Sequence, residues 1–304
     1  MRILITRHDK IGDFVTALPM CRVLKENTNH TVIMLVSKIN VDLAKQLDFI
    51  DEVIEYTDDI LELYKRIKES KVDVTVSAYI DVPLGISLFM ARVPIRIAPA
   101  TKIAQIFFNK TIRQKRSLVE KTEWEYNLDL ISFFDKNLNT KFSRPLLNFN
   151  YQRENYIIFH PGSGGSSDGN LRLNDYVRLA RSVSSKTDVV FTFGPDDEEV
   201  KNNIKQLVDF KAEFRDDFKS LWDFTVFISK SKLFVSTSTG PMHLAGLTNT
   251  PTFSFFGSNL FASSKRWSTV SDIDIQNNFE LNSEYSTKLY DEIELKLNDF
   301  ILNR

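Results

Sequence analysis

The segment that decides the fold is Ser236-Thr-Ser-Thr-Gly-Pro-Met-His-Leu-Ala-Gly246, which follows an apolar run and precedes a short helix pattern. Pro241 stands where a first helical residue is expected, because its fixed φ suits that turn and its missing N–H is not needed there. Thr239 or Gly240 is then the cap. A helix N-terminus with free backbone N–H groups after a buried strand is suited to bind phosphate. His243, in the first turn, can donate to the same anion, although an ordinary capped helix is the alternative.

The composition is that of a globular protein large enough for two domains. The chain has 304 residues, of which 42% are apolar and 26% charged, and its net charge of −1 argues against a nucleic-acid-binding protein. Cys21 is the only cysteine, which excludes a disulfide framework and fits a reducing compartment. No apolar run reaches the roughly 18 to 20 residues of a membrane span, and the start lacks the features of a signal peptide. We therefore expect a cytoplasmic protein.

Strand and helix patterns alternate from Arg2 to Ala98 and again from Tyr156 to Gly257. Such alternation predicts parallel sheets covered on both faces. The polar stretch around Pro145 predicts a domain boundary, with domains at 1–150 and 151–304. The fold class is therefore α/β, with two doubly wound, Rossmann-like domains facing each other across a cleft. Pro19 predicts a kink or an early stop in the first helix. Residues 285–304 predict a last helix that packs back on the first domain.

The glycines indicate which domain binds a nucleotide. Eight of the ten lie after residue 160, mostly in loops that follow predicted strands, where open α/β sheets bind their ligands. The loop 161–169, with Ser163 and Gly164, offers small side chains and many N–H groups and can wrap a diphosphate. Arg172 follows it and can pair with a phosphate. The chain has no Gly-x-Gly-x-x-Gly after the first strand and no Walker A pattern, which argues against a dehydrogenase and a P-loop ATPase.

Asp13 ends the first strand-to-helix loop and is the candidate general base. Gly12 allows close backbone approach, and the carboxylate of Asp13 can accept a proton from a substrate hydroxyl. A helix N-terminus should keep that carboxylate ionised and lower its proton affinity, and an ordinary helix cap is the alternative. Arg7 and Lys10, in the same loop, can bind anionic groups of an acceptor. The four histidines are scattered and carboxylates do not cluster at ligand spacing, so no metal site is predicted.

Residues 101–124 interrupt the alternation with an apolar, aromatic stretch and a cluster of basic residues. The apolar part is Ile103–Asn109, and Lys110, Arg113, Lys115 and Arg116 follow it. Basic residues beside exposed aromatic ones can lie against an anionic membrane surface or an anionic lipid headgroup. A solvated surface beside a core helix is the alternative. Arg113 and Arg116 are further candidates for acceptor binding.

Four segments, taken in order, form a pattern that extends over nearly the full chain. They are Arg2-Ile-Leu-Ile-Thr-Arg with Ile11-Gly-Asp-Phe-Val and Leu18-Pro19, then Phe159-His-Pro-Gly-Ser163, then Phe193-Gly-Pro195, then Val235-Ser-Thr-Ser-Thr-Gly-Pro-Met-His-Leu-Ala245 with Pro251 and Phe256-Gly257. In this order they resemble glycosyltransferase family 9, the bacterial lipopolysaccharide heptosyltransferases. The resemblance implies a GT-B fold. It also implies inverting, metal-independent transfer of heptose from ADP-heptose to the inner core of a lipopolysaccharide precursor, without a cofactor.

The same resemblance implies roles for individual residues. Asp13 matches the general base of the family, and Thr239-Gly-Pro-Met-His243, including Met242, matches the segment that holds the donor diphosphate. Ser163 and its loop match another donor-side segment. The partners would be a nucleotide-sugar donor and a lipid-linked oligosaccharide acceptor, the latter bound by the N-terminal domain. Such an enzyme would work in the cytoplasm, in peripheral contact with the inner membrane.

Two positions depart from the family pattern. Ser238 stands where the family has an Asp that touches the donor sugar. Asn170-Leu-Arg-Leu173 replaces a basic-Trp-Pro segment of the family, so the resemblance does not by itself give Arg172 a phosphate-binding role. Two other functions therefore stay open. One is transfer of another nucleotide-activated sugar onto a cell-surface glycan. The other is non-catalytic binding of a nucleotide sugar or glycan.

Overall fold

The computed structural model describes residues 1–162 and 169–302. These form two compact units, Met1–Leu146 and Leu147–Arg304. The division falls four residues before the boundary predicted from composition. The backbone N–H of Leu147 donates to the carbonyl of Leu247 at 3.0 Å, so the chain already pairs with the second unit at this point.

The first unit contains six strands and five α-helices that alternate along the chain. The strands are β1 (Arg2–Arg7), β2 (Thr31–Val36), β3 (Glu52–Glu55), β4 (Val74–Ser77), β5 (Ile95–Pro99) and β6 (Lys110–Ile112). The helices are α1 (Ile11–Asn27), α2 (Val41–Lys45), α3 (Ile60–Glu69), α4 (Val82–Met90) and α5 (Glu123–Phe134). Short 3₁₀ turns occupy Lys38–Asn40, Ile103–Phe107 and Arg116–Leu118.

The second unit repeats this organisation. Its strands are β7 (Tyr156–His160), β8 (Asp188–Thr192), β9 (Glu213–Arg215), β10 (Leu233–Thr237), β11 (Thr252–Gly257) and β12 (Gln276–Leu281). Its helices are α6 (Leu173–Val183), α7 (Glu198–Leu207), α8 (Leu221–Lys230), α9 (Gly240–Leu247), α10 (Ser264–Trp267) and α11 (Thr287–Leu302). Further 3₁₀ turns lie at Leu260–Ala262 and Ile273–Ile275.

Both sheets are parallel and doubly wound, as the alternation predicts. The strand order is β3-β2-β1-β4-β5-β6 in the first unit and β12-β11-β10-β7-β8-β9 in the second. Each order reverses once, between β1 and β4 in one sheet and between β7 and β10 in the other. Loops that leave the carboxyl ends of strands beside such a switch point diverge and leave room for a ligand. The topology therefore selects two edges as candidate binding regions.

The central strands are apolar because both of their faces are covered. In the first unit Leu4, Ile33 and Leu35 are fully buried in one cluster with helix residues such as Leu63 and Ile67. The second unit has its own core, in which the apolar residues of β7, β8, β10 and β11 pack against α6 and α11. Burial of such side chains contributes about 1.5–3 kcal/mol each. The units therefore have separate hydrophobic cores.

Local expectations fail at helix boundaries and in short edge strands. Pro19 does not end α1, which continues to Asn27 with most of its residues buried, so packing outweighs the local effect of proline. The sequence pattern predicts Asn174 as the N-cap of α6, but this helix begins at Leu173 and its N-cap is Arg172. The edge strands β6, β9 and β12 were not expected. Each is either three residues long or rich in polar side chains, and such segments lack a clear strand pattern.

The last helix, α11, belongs to the core of the second unit. Its buried residues Tyr290, Ile293 and Leu297 are part of the same cluster as the strands of that unit. Packing of this helix against the first domain stays a prediction. Among residues 1–162 and 169–302, no helix combines the length and the hydropathy that a membrane crossing requires.

Candidate functional site

The first candidate site lies at the switch point of the first unit, where the loops after β1 and β4 leave the sheet. Asp13 is in the first turn of α1, which begins at Ile11. Its side chain is 18% exposed, so solvent reaches a carboxylate that protein mostly surrounds. A general base needs such access together with a defined environment.

Arg7, the last residue of β1, is surrounded by three carboxylates. Its Nε donates to Asp9 at 2.8 Å, and its Nη2 donates to Asp13. Its Nη1 lies 3.6 Å from Oε1 of Glu123 and donates to the carbonyl of Ala78 at 3.3 Å. The guanidinium is thus engaged on every side within the first unit. Burial acts to lower the pKa of Arg7, but the three carboxylates outweigh burial and raise it.

The same environment raises the pKa of Asp13. Burial of the carboxyl raises it most, Arg7 offsets part of this effect, and the negative charges of Asp9 and Glu123 raise it further. The expectation that the helix N-terminus lowers the proton affinity of this carboxylate is therefore wrong in direction, since burial and two like charges outweigh the helix dipole. A raised pKa gives a stronger general base.

His8 fixes the turn between β1 and α1. Its Nε2 lies 2.7 Å from Oδ2 of Asp81, and its ring stacks on that of Tyr56 with 4.0 Å between the centroids. Asp81 also accepts from the Tyr56 hydroxyl and, as N-cap of α4, from the N–H of Leu84, both at 2.8 Å. Burial acts to raise the pKa of Asp81, but these hydrogen bonds lower it. Its charge therefore holds His8 firmly to the loop after β4.

The second candidate site lies at the switch point of the second unit, where β10 leads into α9. Thr239 is the N-cap of α9, but its hydroxyl donates to the carbonyl of Thr237 at 3.3 Å and does not cap the helix. Pro241 is the second helical residue and not the first. Ser238, Gly240 and Pro241 are partly exposed. The first turn of α9 thus presents N–H groups that the Thr239 hydroxyl leaves open, which is the arrangement that anions bind.

The next two residues of this segment are buried. Met242 is fully buried and His243 is 3% exposed, with its ring edge-on to Trp267 at 6.2 Å between the centroids. Within the described part of the chain, Nδ1 of His243 is buried without a hydrogen-bond partner. Burial lowers the pKa of His243 to about 4. His243 is therefore a neutral imidazole at pH 7.

Two glycines fix the ends of the loop between β7 and α6. A Cβ on Gly162 would lie 2.0 Å from Oδ2 of Asp197, the oxygen that accepts from the N–H of Gly194 at 2.7 Å. A Cβ on Gly169 would lie 2.1 Å from the backbone of Phe256, which cannot move without shifting β11. Gly169 leaves no room for a side chain because it packs against the backbone of β11, and a side chain at Gly162 would displace the Asp197 carboxylate from the N–H of Gly194.

Only one nitrogen of the Arg172 guanidinium, Nε, takes part in the hydrogen bonds that this side chain makes within the described residues. Its Nε donates to Asp175 at 2.9 Å and to the hydroxyl of Tyr285 at 3.2 Å, while the side chain remains 63% exposed. Its role toward a phosphate stays a prediction. Ser163 and Gly164 lie outside the residues that the structure describes, and their donor role stays a prediction as well.

The other acceptor candidates separate into exposed and engaged residues. Lys10 and Arg113 are exposed, and Gly12 is buried in the first turn of α1. Arg116 is only 16% exposed; its Nη1 donates to Glu123, and its Nε donates to Gln114 at 2.9 Å. Arg116 therefore belongs to the polar network that also contains Glu123 and Arg7. It is not part of the exposed basic surface that the sequence suggested.

Known proteins of one family are similar to this chain. The sequence profile described as "Glycosyltransferase family 9 (heptosyltransferase)" matches residues 96–289. A protein of Haemophilus influenzae named "Putative glycosyltransferase" is 33% identical, and the match covers 90% of this chain and 87% of that protein. The chain belongs to glycosyltransferase family 9. The resemblance inferred from the four sequence segments is thus confirmed.

Solved structures confirm the fold of this family 9 chain. The structure of E. coli ADP-heptose lps heptosyltransferase II has a TM-score of 0.81 at 17% identity, and the match covers 100% of this chain and 99% of that one. E. coli heptosyltransferase WaaC with ADP has a TM-score of 0.78 at 15% identity, covering 99% and 100%. A family 9 glycosyltransferase of Veillonella parvula has a TM-score of 0.82 at 14% identity, covering 100% and 98%. The GT-B fold is therefore shown.

Sequence reasoning missed the partners of Asp13 in this family 9 chain. The sequence pattern does not single out Glu123, yet this residue is buried and contacts two arginines. Asp9 and Asp81 were not singled out. The two acids Asp9 and Asp13 flanking Lys10 in one loop were a usable signal, whereas Glu123, more than a hundred residues away, is brought near Arg7 only by the fold.

Proposed function

We propose that this chain is an inverting, metal-independent glycosyltransferase that transfers heptose from ADP-heptose to the inner core of a lipopolysaccharide precursor. The observation that carries the proposal is Asp13, a partly exposed carboxylate with a raised pKa at the switch point of a family 9 fold. A nucleotide-sugar binding protein has no need of a base of this kind. The start of α9, which no side chain of the described residues caps, supports a diphosphate site in the second unit.

The proposed reaction needs one proton acceptor and one site for a leaving anion. Asp13 takes the proton of the acceptor hydroxyl, whose oxygen forms a bond to the anomeric carbon of the donor. The bond from that carbon to the diphosphate breaks, and ADP leaves with the electron pair. The backbone N–H groups and the dipole of α9 stabilise the charge that develops on the diphosphate. A helix terminus can do this without a metal, so we expect EDTA to leave the rate unchanged.

A thermal-shift screen followed by a transfer assay tests this function. A ligand that binds the native state raises its stability by RT ln(1 + [L]/Kd), about 2.7 kcal/mol at a hundredfold excess over Kd. We expect ADP-heptose to raise the melting temperature and UDP-sugars to have little effect. Transfer to a lipopolysaccharide inner-core acceptor should then be seen by mass spectrometry. Failure of ADP-heptose in both assays would contradict the proposed donor.

Ser238 supports a second candidate, which is transfer of another nucleotide-activated sugar to a cell-surface glycan. Ser238 is partly exposed at the start of α9, and it stands where the resemblance implies a donor-contacting Asp. A hydroxyl is neutral and both donates and accepts, whereas a carboxylate only accepts, so the two side chains select different sugar hydroxyl patterns. We expect Ser238→Asp to change the ranking of nucleotide sugars in the same screen while affinity for the free nucleotide stays within about twofold.

The neutral state of His243 predicts a small effect on ADP binding. His243→Phe keeps a ring beside Trp267 but removes the N–H, so we expect ADP affinity to fall by about 0.5–1.5 kcal/mol, the range of a neutral hydrogen bond. Because the pKa of His243 is about 4, the effect should be the same at pH 6 and pH 8. Isothermal titration calorimetry at both pH values measures this.

His30→Phe, a change of a partly exposed histidine in the first unit, is the matched control and should leave ADP affinity unchanged. A loss of more than about 2 kcal/mol that disappears at pH 8 would instead indicate a protonated His243 in the complex.

The surface around residues 102–110 supports contact with an anionic membrane. Ile103 and Ile106 are 78% and 72% exposed on a 3₁₀ turn, and Lys102 and Lys110 flank them. The aromatic residues of this stretch are not exposed as the sequence suggested, because Phe108 is buried and Phe107 packs against Gly85. Exposed isoleucines between lysines suit insertion at a negatively charged interface.

Liposome co-sedimentation tests this membrane contact. We expect the double variant Ile103→Ser/Ile106→Ser to bind vesicles of anionic phospholipid at least about tenfold more weakly, because each isoleucine contributes apolar area at the interface. Ile39→Ser/Ile273→Ser removes two other exposed isoleucines and should bind normally. Equal binding of both double variants, or none by the original chain at low salt, would contradict the proposal.

A further inference from the structure

Glu123 connects Asp13 to a second arginine. It is the first residue of α5 and follows the N-cap Thr122, and its side chain is only 3% exposed. Its Oε1 accepts from Nη1 of Arg116 and lies 3.6 Å from Nη1 of Arg7. Arg116 is itself fixed by two hydrogen bonds from its guanidinium to Oε1 of Gln114, at 2.9 and 2.7 Å. Because Arg116 holds the Glu123 carboxylate in place, Glu123 in turn helps to fix the position of the Arg7 guanidinium.

Further hydrogen bonds join α5 to the first helix. The Asn127 amide, one turn after Glu123, donates to the carbonyl of Thr16 at 3.0 Å. The hydroxyl of Thr16 in turn donates to the carbonyl of Asp13 at 2.7 Å. Helix α5 therefore restrains the backbone of Asp13 through Asn127 and Thr16, while Arg7 restrains its side chain. Both restraints depend on the first two turns of α5, because Asn127 binds Thr16 and Glu123 lies beside Arg7.

Three carboxylates lie around Arg7: Asp9, Asp13 and Glu123, the last of which also accepts from Arg116. Carboxylates that share one arginine repel each other, and this repulsion favours protonation of one of them. Of the three carboxylates, Glu123 contacts both arginines and is almost inaccessible, whereas Asp13 is accessible and lies in the first turn of α1.

We propose that Glu123 is a positioning residue for the transfer reaction: through Arg7 it orients Asp13, and its charge makes Asp13 the site at which the cluster takes up a proton. The inference rests on the proposed function, in which Asp13 is the general base. Within the described part of the chain, the charged groups that act on Asp13 are Arg7 from β1, Asp9 from the following loop and Glu123 from α5. Glu123 touches no substrate in this scheme and acts only through the arginine.

The proton affinity of Asp13 can be measured without any activity assay. Protein labelled with ¹³C at the aspartate carboxyl carbons is titrated by NMR, and the signal missing from Asp13→Asn identifies Asp13. We expect Asp13 to titrate above the ordinary range of aspartate, and about one pH unit lower in Glu123→Gln, because a neighbouring negative charge is removed. Glu123→Asp keeps the charge and should titrate closer to the original protein than Glu123→Gln does.

The kinetic arm uses the same variants. The acid limb of the pH–rate profile should move to lower pH in Glu123→Gln, and the plateau rate should fall about three- to tenfold because a weaker base is left. Glu125→Gln is the matched control: it removes a charge from the same turn of α5, and its glutamine can still complete the capping box with Thr122. It should change neither the titration nor the rate.

Folded Glu123→Gln with an unchanged Asp13 titration would overturn the inference. If Glu123→Gln does not fold, Asp9→Asn carries the test, since it removes the other carboxylate on Arg7 and should shift Asp13 in the same direction. Absence of transfer in the original protein would remove the proposed function and leave the NMR shifts in place. Normal transfer with no shift would remove only the role of Glu123.

Discussion

Asp13→Asn is expected to lower the transfer rate about 10²- to 10⁴-fold while donor affinity stays unchanged. The substitution keeps the shape of the side chain and removes its ability to accept a proton, and a general base contributes a factor of that size. A rate assay with saturating donor measures the loss, and calorimetry with ADP measures donor binding. Retention of full transfer would mean that Asp13 is not the base. Absence of transfer in both proteins, with normal nucleotide binding, would favour a non-catalytic binding protein.

Asp42→Asn is the matched control for this substitution. Asp42 is an exposed aspartate in the first turn of α2, so the same chemical change is made at the start of the helix that follows the next strand. Its carboxylate is absent from the cluster around Arg7. We expect it to change neither transfer nor ADP binding.

The raised pKa of Asp13 also predicts a change in stability. A carboxyl whose pKa is higher in the folded state than its ordinary value of 3.8 binds its proton more tightly when folded. Its contribution to stability is therefore present below that ordinary value and is lost as the pH rises through the raised pKa. At neutral pH the ionised carboxylate destabilises the fold, so Asp13→Asn should melt at a higher temperature than the original protein. A lower melting temperature would mean that Arg7 depends on the charge of Asp13.

The fold could be predicted from the sequence because each central strand is short, apolar and followed by a helix pattern. The runs at Ile3–Ile5 and Leu233–Val235 are buried on both faces, which gives them a continuous apolar character that periodicity detects. Edge strands such as Glu213–Arg215 lack it because one side faces solvent. Helix α1 continued past Pro19 because tertiary burial, which is not visible in a local pattern, outweighed the local preference.

The sequence predicts where the site residues lie better than it predicts their protonation. The strand-to-helix loops at Asp13 and Thr239 were found because their residue types and their place after a strand are local properties. The proton affinity of Asp13 and the neutral state of His243 depend on burial and on residues distant in sequence, such as Glu123 for Asp13. The local sequence shows only the helix N-terminus next to Asp13, and from this feature alone the pKa of Asp13 is predicted to shift in the wrong direction.

Arg7→Gln is expected to destabilise the first unit by about 3–5 kcal/mol. The arginine is buried and compensates Asp9, Asp13 and Glu123, and removal of one partner from a buried ion cluster leaves charges without compensation. Glutamine can replace some hydrogen bonds but not the positive charge. Chemical denaturation at pH 7, followed by a probe in the first unit, measures the loss. Transfer should fall as well, because Asp13 loses the group that orients it.

The pH dependence of this loss distinguishes charge from packing. Without Arg7, Asp13 loses the positive charge that lowers its pKa, so the folded variant binds this proton more tightly and its stability should recover in part as the pH falls toward 5. A packing defect would not recover. Arg66→Gln removes an arginine paired with Glu62 on the surface of the same unit and should lose no more than about 1 kcal/mol. An Arg7→Gln loss as small as that of Arg66→Gln, constant between pH 5 and pH 7, would contradict the view that the charge of Arg7 holds the cluster and with it the base Asp13.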